Sequence, residues 1–380
     1  MRTVEIGSVV DPVKKWNPRR EGVGAFTYVD ISSIDQGAKT VSLPSSVNAA
    51  EAPSRARQLI AAGDVLLSTV RPNLNAVAYA SPELDGATAS TGYCVLRPRP
   101  GHLDGRYLFH WVRAVPFIGH LVQRATGASY PAVSDKIVKA APIPLPSMEE
   151  QRRIAAVLDA ADALRVKRQQ ALAKLDDLER AVFFDMFGGT LPTHLTVTLG
   201  EFMPAKKTSI DPRKSPDEEF ELFSIPAFDV GEPEIIHGRD VGSTKQLLER
   251  EDVILSRIVP HIRRAGVVTS TSGRRLIGSG EWIIFRGNRF VPRYLRHVLV
   301  SDRFHHSFMR TVAGVGGSLL RARPSQVAEI EIPLPPLEEQ QMFASHLRAI
   351  DDIRAKICQS AAWVENLFAS LQQRAFRGEL

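Results

Sequence analysis

Two segments of the chain carry the clearest pattern of apolar and polar residues, and each predicts one long helix. Both begin after an Ile-Pro-Leu-Pro run, at residues 143–146 and 332–335. Proline lacks a backbone N–H and disfavours helix in the residue before it, so each run should end a strand and lead into the helix. Two adjacent glutamates follow each run, at residues 149–150 and 338–339, in the first turn, where the helix dipole favours negative charge.

Apolar residues recur every seven positions along both segments. Counted from Ile154, the first segment has apolar residues at four of its five a positions, and the second segment has them at all five. This repeat is typical of a coiled-coil seam, formed by two helices of about 39 residues and about 58 Å each. The predicted seam contains Ile154, Leu164, Leu175, Leu178, Ile350, Ile357, Val364 and Leu371.

The two segments are copies of one another. They align without a gap at a shift of 332 − 143 = 189 residues, which pairs Gln151 with Gln340 and Phe187 with Phe376. A single segment of this kind would also fit an ordinary amphipathic core helix. Because two copies occur, each closing one half of the chain, we expect the two helices to pair with each other, antiparallel, about an internal pseudo-twofold axis.

The regions that precede the two helices are related as well, although weakly. Short β runs separated by turns recur in the same order, and the helical run that starts at Arg106 (RYLFHWV) matches the run that starts at Arg293 (RYLRHVL). Short strands with a few helices predict an α+β fold. The expected domains are residues 1–146 and 191–335, each followed by one conserved helix, at residues 147–190 and 336–380.

Composition narrows the class of protein. The chain has 380 residues, of which 44% are hydrophobic and 24% are charged, as in soluble globular proteins with two or three domains. It contains no apolar run of 18 residues and no hydrophobic signal core at its amino terminus, so we expect a cytoplasmic protein without a membrane partner. Cys94 and Cys358 are too few and too distant in sequence to suggest a disulfide framework or a zinc site.

Charge is unevenly distributed along the chain. The formal net charge is +6, and the segment from Arg250 to Arg323 contains fourteen arginines, four acidic residues and no lysine. Arginine makes planar, bidentate contacts with phosphates and guanine edges. A GC-rich genome would also favour arginine over lysine, but it would not explain why this segment has so few acidic residues. The charge distribution therefore predicts a nucleic-acid partner.

Candidate DNA-binding residues lie on loops at matching places in the two domains. One loop follows an apolar strand in each domain, and a glycine-rich loop comes later in each. Asparagine and arginine side chains reach adenine and guanine edges, although both are also common turn residues. In the first domain the candidates are Arg71, Asn73, Asn75, Ser129 and Tyr130, and in the second they are Arg257, His261, Arg263, Arg264, Ser318, Arg321 and Arg323.

No catalytic motif is complete. The run Gly37 to Thr40 ends like a phosphate-binding loop, but no glycine stands upstream where that loop requires its first one. The chain has no Asn-Pro-Pro-aromatic stretch for amino methylation, and Asp217 lacks the later acidic and lysine residues of a nuclease site. His305 and His306 lack the spacing of metal ligands. We therefore expect no catalytic residues and no metal site.

The repeated Ile-Pro-Leu-Pro-x-x-Glu-Glu-Gln run, twice followed by a long heptad helix after a divergent domain, resembles the specificity (S) subunit of type I restriction-modification systems. The resemblance covers essentially the whole chain. It implies two target recognition domains that read a bipartite sequence in double-stranded DNA, and two helices that pack antiparallel as a spacer. It also implies a non-catalytic chain that assembles with two modification (methyltransferase) subunits and with restriction/translocase subunits. S-adenosylmethionine, ATP and Mg²⁺ would then belong to those partner subunits.

Two other classes of function stay open at this point. One is a stand-alone DNA-modifying enzyme, either a nuclease or a methyltransferase, and the other is a coiled-coil interaction protein that does not bind DNA. Binding of S-adenosylmethionine or magnesium-dependent cleavage by the purified chain would indicate the enzyme. Duplex binding that weakens steeply with salt would exclude the interaction protein.

Overall fold

The structure is a computed structural model of the chain, and it describes residues 2–127, 129–188, 195–206, 208–270, 272–313 and 320–380. The chain divides into two compact units. The first unit consists of Met1–Ala173 and Ala355–Leu380, and the second consists of Lys174–Arg354. Each unit therefore contains one of the two expected domains and one part of each long helix.

The first unit combines short strands with short helices and part of a long one. Its helices are α1 (Pro18–Glu21), α2 (Gly105–Val112), α3 (Val115–Val122), α4 (Asp135–Ala140) and the first part of α5 (Met148–Phe187). Its strands are β1 (Thr3–Glu5), β2 (Val10–Asp11), β3 (Ala25–Val29), β4 (Ile34–Asp35), β5 (Thr40–Val41), β6 (Ser45–Asn48), β7 (Ala56–Leu59), β8 (Val65–Ser68), β9 (Val77–Tyr79), β10 (Thr88–Ser90), β11 (Tyr93–Pro98) and β12 (Pro142–Pro144).

The second unit has the same kinds of element. Its helices are α6 (Ile225–Val230), α7 (Pro292–Val300), α8 (Asp302–Met309), α9 (Pro324–Ala328) and the first part of α10 (Leu337–Arg377). Its strands are β13 (Leu195–Thr198), β14 (Ser209–Ile210), β15 (Glu219–Phe223), β16 (Glu234–His237), β17 (Lys245–Leu247), β18 (Val253–Ser256), β19 (Ala265–Val267), β20 (Arg275–Gly278), β21 (Trp282–Phe285), β22 (Val312–Ala313), β23 (Arg321–Ala322) and β24 (Glu331–Leu334).

Strand order repeats between the two units. One sheet of the first unit has the order β6-β3-β10-β7, and the matching sheet of the second unit, read from its β16 edge, has the order β16-β15-β20-β17-β14. In each sheet one parallel pair, β3 with β10 or β15 with β20, lies among antiparallel neighbours. The other sheet has the order β2-β11-β8-β9 or β19-β18-β21. The domains are therefore two copies of one α+β fold, as the sequence predicts.

The Ile-Pro-Leu-Pro runs form strands that pair with the start of each domain. β12 pairs antiparallel with β1, and β24 pairs antiparallel with β13. Both pairs form two-stranded sheets, where a proline does not interrupt a larger ladder. The predicted change from strand to helix after each run is confirmed.

The core of the first unit lies on both faces of β8. Every side chain of this strand is buried, as expected for an apolar run between two layers. Val65 and Leu67 belong to the cluster that includes residues of α2, whereas Leu66 belongs to the cluster beneath the other sheet. In the second unit, β18 has the same apolar sequence pattern and is buried at every position.

The two long helices run antiparallel within each unit. In the first unit, Arg153 donates a hydrogen bond to the backbone oxygen of Leu380, and further along α5 the Nε of Arg165 lies 2.8 Å from Oε1 of Glu365. Residue numbers thus rise along one helix while they fall along the other. In the second unit, Arg354 bonds Asp176 at 2.8 Å and also bonds Glu179, while aromatic rings near residues 183–187 pack on Phe343. This agrees with the predicted antiparallel pairing.

The buried face of these helices differs from the predicted a/d frame. In the heptad frame counted from Ile154, the residues at positions a and e are more buried than those at position d. A helix of 3.6 residues per turn keeps residues i and i+4 on one face, and each helix also packs on its own domain. Among the predicted seam residues, Ile154, Leu175, Ile350 and Val364 are buried, and Ile357 and Leu371 are half-buried. The d-position residues Leu164 and Leu178 are 44% and 43% exposed, so the structure does not place them in the seam.

Candidate nucleic-acid interface

In each unit the two predicted binding loops lie side by side. In the first unit, the loop of residues 69–75 and the loop of residues 126–133, together named the first loop pair, are joined by backbone hydrogen bonds, one of them from Arg71 N to Pro131 O at 2.7 Å. In the second unit, residues 257–264 and 320–323, named the second loop pair, are joined by bonds such as Val259 N to Leu320 O at 3.1 Å. Ser318 lies outside the described residues.

Both loops turn through a left-handed residue at the same position. Arg71 has φ 50° and Val259 has φ 49°, and each precedes the proline that aligns the two loops. This conformation is unfavourable for residues other than glycine, and especially for a β-branched valine. Strained residues of this kind concentrate at functional sites, so the shared turn supports a functional role for both loops.

The first loop pair presents a stacked arginine and exposed polar side chains. The Cζ of Arg71 lies 4.6 Å from the ring centroid of Tyr130, and Tyr130 is 69% exposed. Asn73, Ser129 and Arg71 are also exposed. These four predicted residues therefore share one solvent-accessible surface of the first unit.

Asn75, the fifth residue predicted for this surface, turns inward. Its Nδ2 donates to the backbone oxygen of Arg113 at 2.9 Å, and its own backbone oxygen accepts a 2.5 Å hydrogen bond from Nζ of Lys39. Burial, together with the charges of Arg113 and Arg165, lowers the pKa of Lys39 to about 8. Asn75 holds the end of the loop in place, and its amide is not free for a base.

In the second loop pair, four of the five predicted arginines are matched to carboxylates. Arg263 lies 2.6 Å from Asp302, and Arg264 makes two bonds to Asp229, at 2.6 and 2.8 Å. Arg257 and Arg321 share a single carboxylate, Glu281, at 2.9 and 3.2 Å. His261 and Arg323 are exposed, and neither makes an ion pair in the part of the chain that the structure describes.

The arginine-rich segment draws acidic partners from outside itself. Its sequence has few acidic residues, but Arg274, Arg275 and Arg289 pair with Glu219, Glu218 and Glu201, which lie far away in sequence. Arg293 likewise pairs with Asp351 on α10. Counting charges along this segment therefore overstates the positive charge of its surface, because the packing of strands and helices brings in acidic residues that are distant in sequence.

Comparison with known proteins shows that the chain is similar to restriction-modification proteins. Residues 13–175 match the family model of the type I restriction modification DNA specificity domain. The specificity subunit of the type I restriction enzyme MjaVIII from Methanocaldococcus jannaschii is 22% identical over 277 residues, which are 66% of this chain and 64% of that protein. The StySPI specificity subunit from Salmonella potsdam is 21% identical over 313 residues, covering 75% of this chain and 67% of that one.

A solved structure that concerns complex assembly and conformational transition of the type I restriction-modification system has a chain with the same fold. That chain matches with a TM-score of 0.59 and 25% identity, and the match covers 100% of this chain and 98% of that chain. The chain is therefore similar to type I restriction-modification specificity subunits, and its residues 13–175 match their DNA specificity domain. The specificity-domain match ends within α5, and the second unit repeats the strand pairings of the first.

Two pairs of polar residues in this chain were not predicted as important, although the repeated sequence contained them. The Oε1 atoms of Gln151 and Gln340 accept the backbone N–H of Asp104 at 2.8 Å and of Val291 at 2.7 Å, and both amides donate to proline carbonyls before the helix. Tyr107 and Tyr294 donate to carbonyl oxygens of β12 and β24, at 2.8 and 2.9 Å. These bonds fix each helix start to its own domain. The repeated Glu-Glu-Gln and Arg-Tyr-Leu runs were the available signal.

Among the described residues of the chain, no helix is both long and apolar enough to cross a membrane. In the same part of the chain, no group of three or more histidine, cysteine, aspartate or glutamate side chains is arranged to hold a metal ion.

Proposed function

We propose that this chain is the DNA-recognition subunit of a type I restriction-modification complex. Each unit would read one half of a bipartite sequence in double-stranded DNA, and the long helices would hold the two domains at a set separation. The observation that carries the proposal is the duplicated fold: each unit contains the same domain and the same paired loops, in a chain whose residues 13–175 match the type I DNA specificity domain.

The partners follow from the same proposal. Modification (methyltransferase) subunits, two per chain, would bring S-adenosylmethionine, and restriction/translocase subunits would bring ATP and Mg²⁺ chemistry. This chain would act in the cytoplasm, and it would select the DNA without catalysing a reaction itself. DNA contact would come from the exposed members of the loop pairs, which are Arg71, Asn73, Ser129, Tyr130, His261 and Arg323.

The decisive experiment maps methylated adenines across the genome of cells that express the modification subunits with and without this chain. We expect methylation at one bipartite sequence, with two specified halves and an unspecified spacer, only when the chain is present. A contiguous recognition sequence would contradict the proposal, and so would the same set of methylated sites in both strains.

Two assays on the purified full-length chain address catalysis and binding separately. We expect no binding of S-adenosylmethionine and no magnesium-dependent cleavage, whereas either activity would favour a stand-alone enzyme. Duplex affinity should fall steeply between 50 and 200 mM salt, by about a factor of 10³ if some six phosphates are contacted. An affinity that does not depend on salt would argue for an interaction protein that does not use DNA.

A further inference from the structure

The first loop pair contains an arginine whose hydrogen-bond donors are uncommitted. In the part of the chain that the structure describes, no carboxylate pairs with Arg71, and its guanidinium carbon lies over the ring of Tyr130. In the second loop pair, four of the five predicted arginines, at positions 257, 263, 264 and 321, bond a carboxylate. The fifth, Arg323, is exposed and makes no ion pair with a described residue, but no described aromatic ring lies beneath its guanidinium. Among the described loop residues, Arg71 is therefore the arginine that is exposed, unneutralised and also placed over an aromatic ring.

Stacking leaves the part of a guanidinium that recognises a base free. When the flat face of such a group lies on an aromatic ring, its N–H donors stay available along the edge in a fork that fits two acceptors. The O6 and N7 atoms of guanine form such a pair of acceptors in the major groove. A phosphate could also accept these donors, but the neighbouring exposed side chains, Asn73, Ser129 and Tyr130, are uncharged, whereas a phosphate-binding surface would gather several cations.

The backbone holds this arginine in position before any ligand binds. The left-handed turn at Arg71 is closed by its N–H bond to Pro131 O, and Val133 N bonds Thr69 O at 2.9 Å on the other side of the junction. The loop end is fixed by the two hydrogen bonds of Asn75 to Arg113 and Lys39. A side chain on a fixed backbone loses less entropy on binding, which favours selective recognition over loose attraction.

The partner loop is held equally closely around Tyr130. Gly127 has φ 102°, and a Cβ atom at this position would lie 2.9 Å from the backbone oxygen of Tyr130. The turn that presents the tyrosine therefore requires glycine, both for its backbone conformation and for space. Thr126 and Ala132 close the turn with two backbone hydrogen bonds of 2.9 Å.

We propose that Arg71, stacked on Tyr130, reads a guanine in the half-site recognised by the first unit and is a specificity-determining residue. This inference rests on the proposed function, because it assigns one base of the sequence that the complex would select. Asn75 and Lys39 are positioning residues for this contact. The equivalent turn of the second unit carries Val259, so the second half-site is read by other side chains.

The test uses the full-length chain in cells that express the modification subunits, with the target sequence read from genome-wide adenine methylation. The variants Arg71→Ala and Arg71→Gly both remove the guanidinium, and glycine tolerates the left-handed turn if alanine does not. We expect both to lose the preference for guanine at one position of one half-site, by roughly 5- to 150-fold, and to leave every other position unchanged. Arg71→Lys should lose most of the preference too, since lysine cannot present the fork.

Matched controls separate the stacked pair from charge alone. Tyr130→Phe keeps the ring and should keep the specificity, whereas Tyr130→Ala should weaken the same guanine preference. Arg124→Ala removes another exposed arginine of the first unit, whose guanidinium bonds only the backbone oxygen of His120 at 3.1 Å, and it should leave that preference intact. Normal melting temperatures would show that the variants are folded.

Three outcomes would overturn the inference. If Arg71→Ala weakens binding equally to every duplex and lowers the salt slope by about 1, Arg71 contacts a phosphate. If both Arg71 variants fold and keep the wild-type target sequence at every position, Arg71 does not select a base, although the proposed function stands. If the wild-type chain directs no site-specific methylation, the proposed function itself fails, and this assignment fails with it.

Discussion

A buried histidine occupies the same place in each unit, and each is surrounded in a way that disfavours its charged form. Nδ1 of His110 accepts a hydrogen bond from Nη2 of Arg113 at 3.0 Å, so this nitrogen carries no proton and Nε2 donates to Asp159 at 2.6 Å. Burial, helped by the neighbouring arginines, lowers the pKa of His110 to about 4. His297 packs on the ring of Phe183, and burial likewise lowers its pKa to about 4.

These two histidines predict a loss of stability in mild acid. Because each folded-state pKa lies below the unfolded value of about 6.5, the unfolded chain binds more protons between these values. The free energy of unfolding should therefore be full above about pH 6.5 and should fall by about 3 kcal/mol per histidine as the pH drops to about 4. Urea titrations at pH 7, 5.5 and 4 would measure this fall.

A variant of one histidine gives the control. His297→Leu keeps an apolar contact with the aromatic rings and removes one of the two groups, so we expect it to flatten the pH dependence by about half. Its stability at pH 7 provides the baseline for the comparison. A pH dependence equal to that of the wild type would show that His297 is not held in its neutral form.

The two neighbouring glutamines at the start of α10 offer a matched test of the helix attachment. Gln340 is fully buried and bonds the backbone of Val291, Arg289 and Pro335, whereas Gln341 is exposed. Gln340→Ala would leave these buried backbone groups without partners and should lower the free energy of unfolding by about 1–3 kcal/mol. Gln341→Ala should change it by less than about 0.5 kcal/mol. Equal effects in denaturant titrations would contradict the proposed attachment.

At the scale of elements, aspartate substitutions on the two long helices can distinguish the buried a/e face of the structure from the a/d frame that the sequence predicts. Leu175 and Leu178 lie three residues apart on α5, and they are 8% and 43% exposed. Leu175→Asp would bury an unpaired charge and should cost about 3 kcal/mol or more, while the same change at Leu178 should cost far less. Comparing half-buried Ile357 with Ile353, which is 46% exposed, repeats the test on α10.

Thermal melting of the four aspartate variants provides the measurement. The a/e face is supported if the variants at positions 175 and 357 melt at lower temperature than their partners at 178 and 353. Two equally destabilised variants on one helix would restore the a/d frame. Wild-type melting in the variants at positions 175 and 357 would remove the case for a helix-pairing seam.

Much of the element order could be predicted from the sequence, because duplication makes weak signals visible twice. The long helices, the strands before them and the matching loops all follow from runs whose local physics is strong, such as the proline-rich strand ends and buried strands like β8. The direction of the Asn75 amide could not be predicted, because it depends on the backbone of Arg113, which lies 38 residues away. The pairing of Arg264 with Asp229 is likewise decided by tertiary packing.

At the scale of the whole molecule, both long helices belong to both units. α5 has 40 residues, which corresponds to about 60 Å of continuous helix, and α10 has 41. Within each unit the two helices are antiparallel, so removing equal lengths from both keeps the residues outside the shortened stretch aligned with their present partners, although a deletion that includes Glu365 or Asp176 removes the partner of Arg165 or Arg354. This property makes the helices suitable for a test of whether they determine the spacing between the two half-sites.

Deleting residues 171–177 from α5 and residues 360–366 from α10 removes one heptad from each helix and keeps the buried face in phase. The helical part should become shorter by about 10 Å. Because successive turns of the DNA groove lie about 34 Å apart, with about ten base pairs per turn, we expect the preferred spacer to shrink by up to about three base pairs. The domains and their loop pairs are unchanged, so both half-site sequences should stay the same.

Each base pair removed also rotates one half-site relative to the other by about a tenth of a turn, so a reduced level of methylation at the new spacing is expected as well. Genome-wide adenine methylation in cells that carry the deletion variant reads spacing and half-sites together. If the folded variant methylates sites with the original spacer, a feature other than the length of these helices determines the distance.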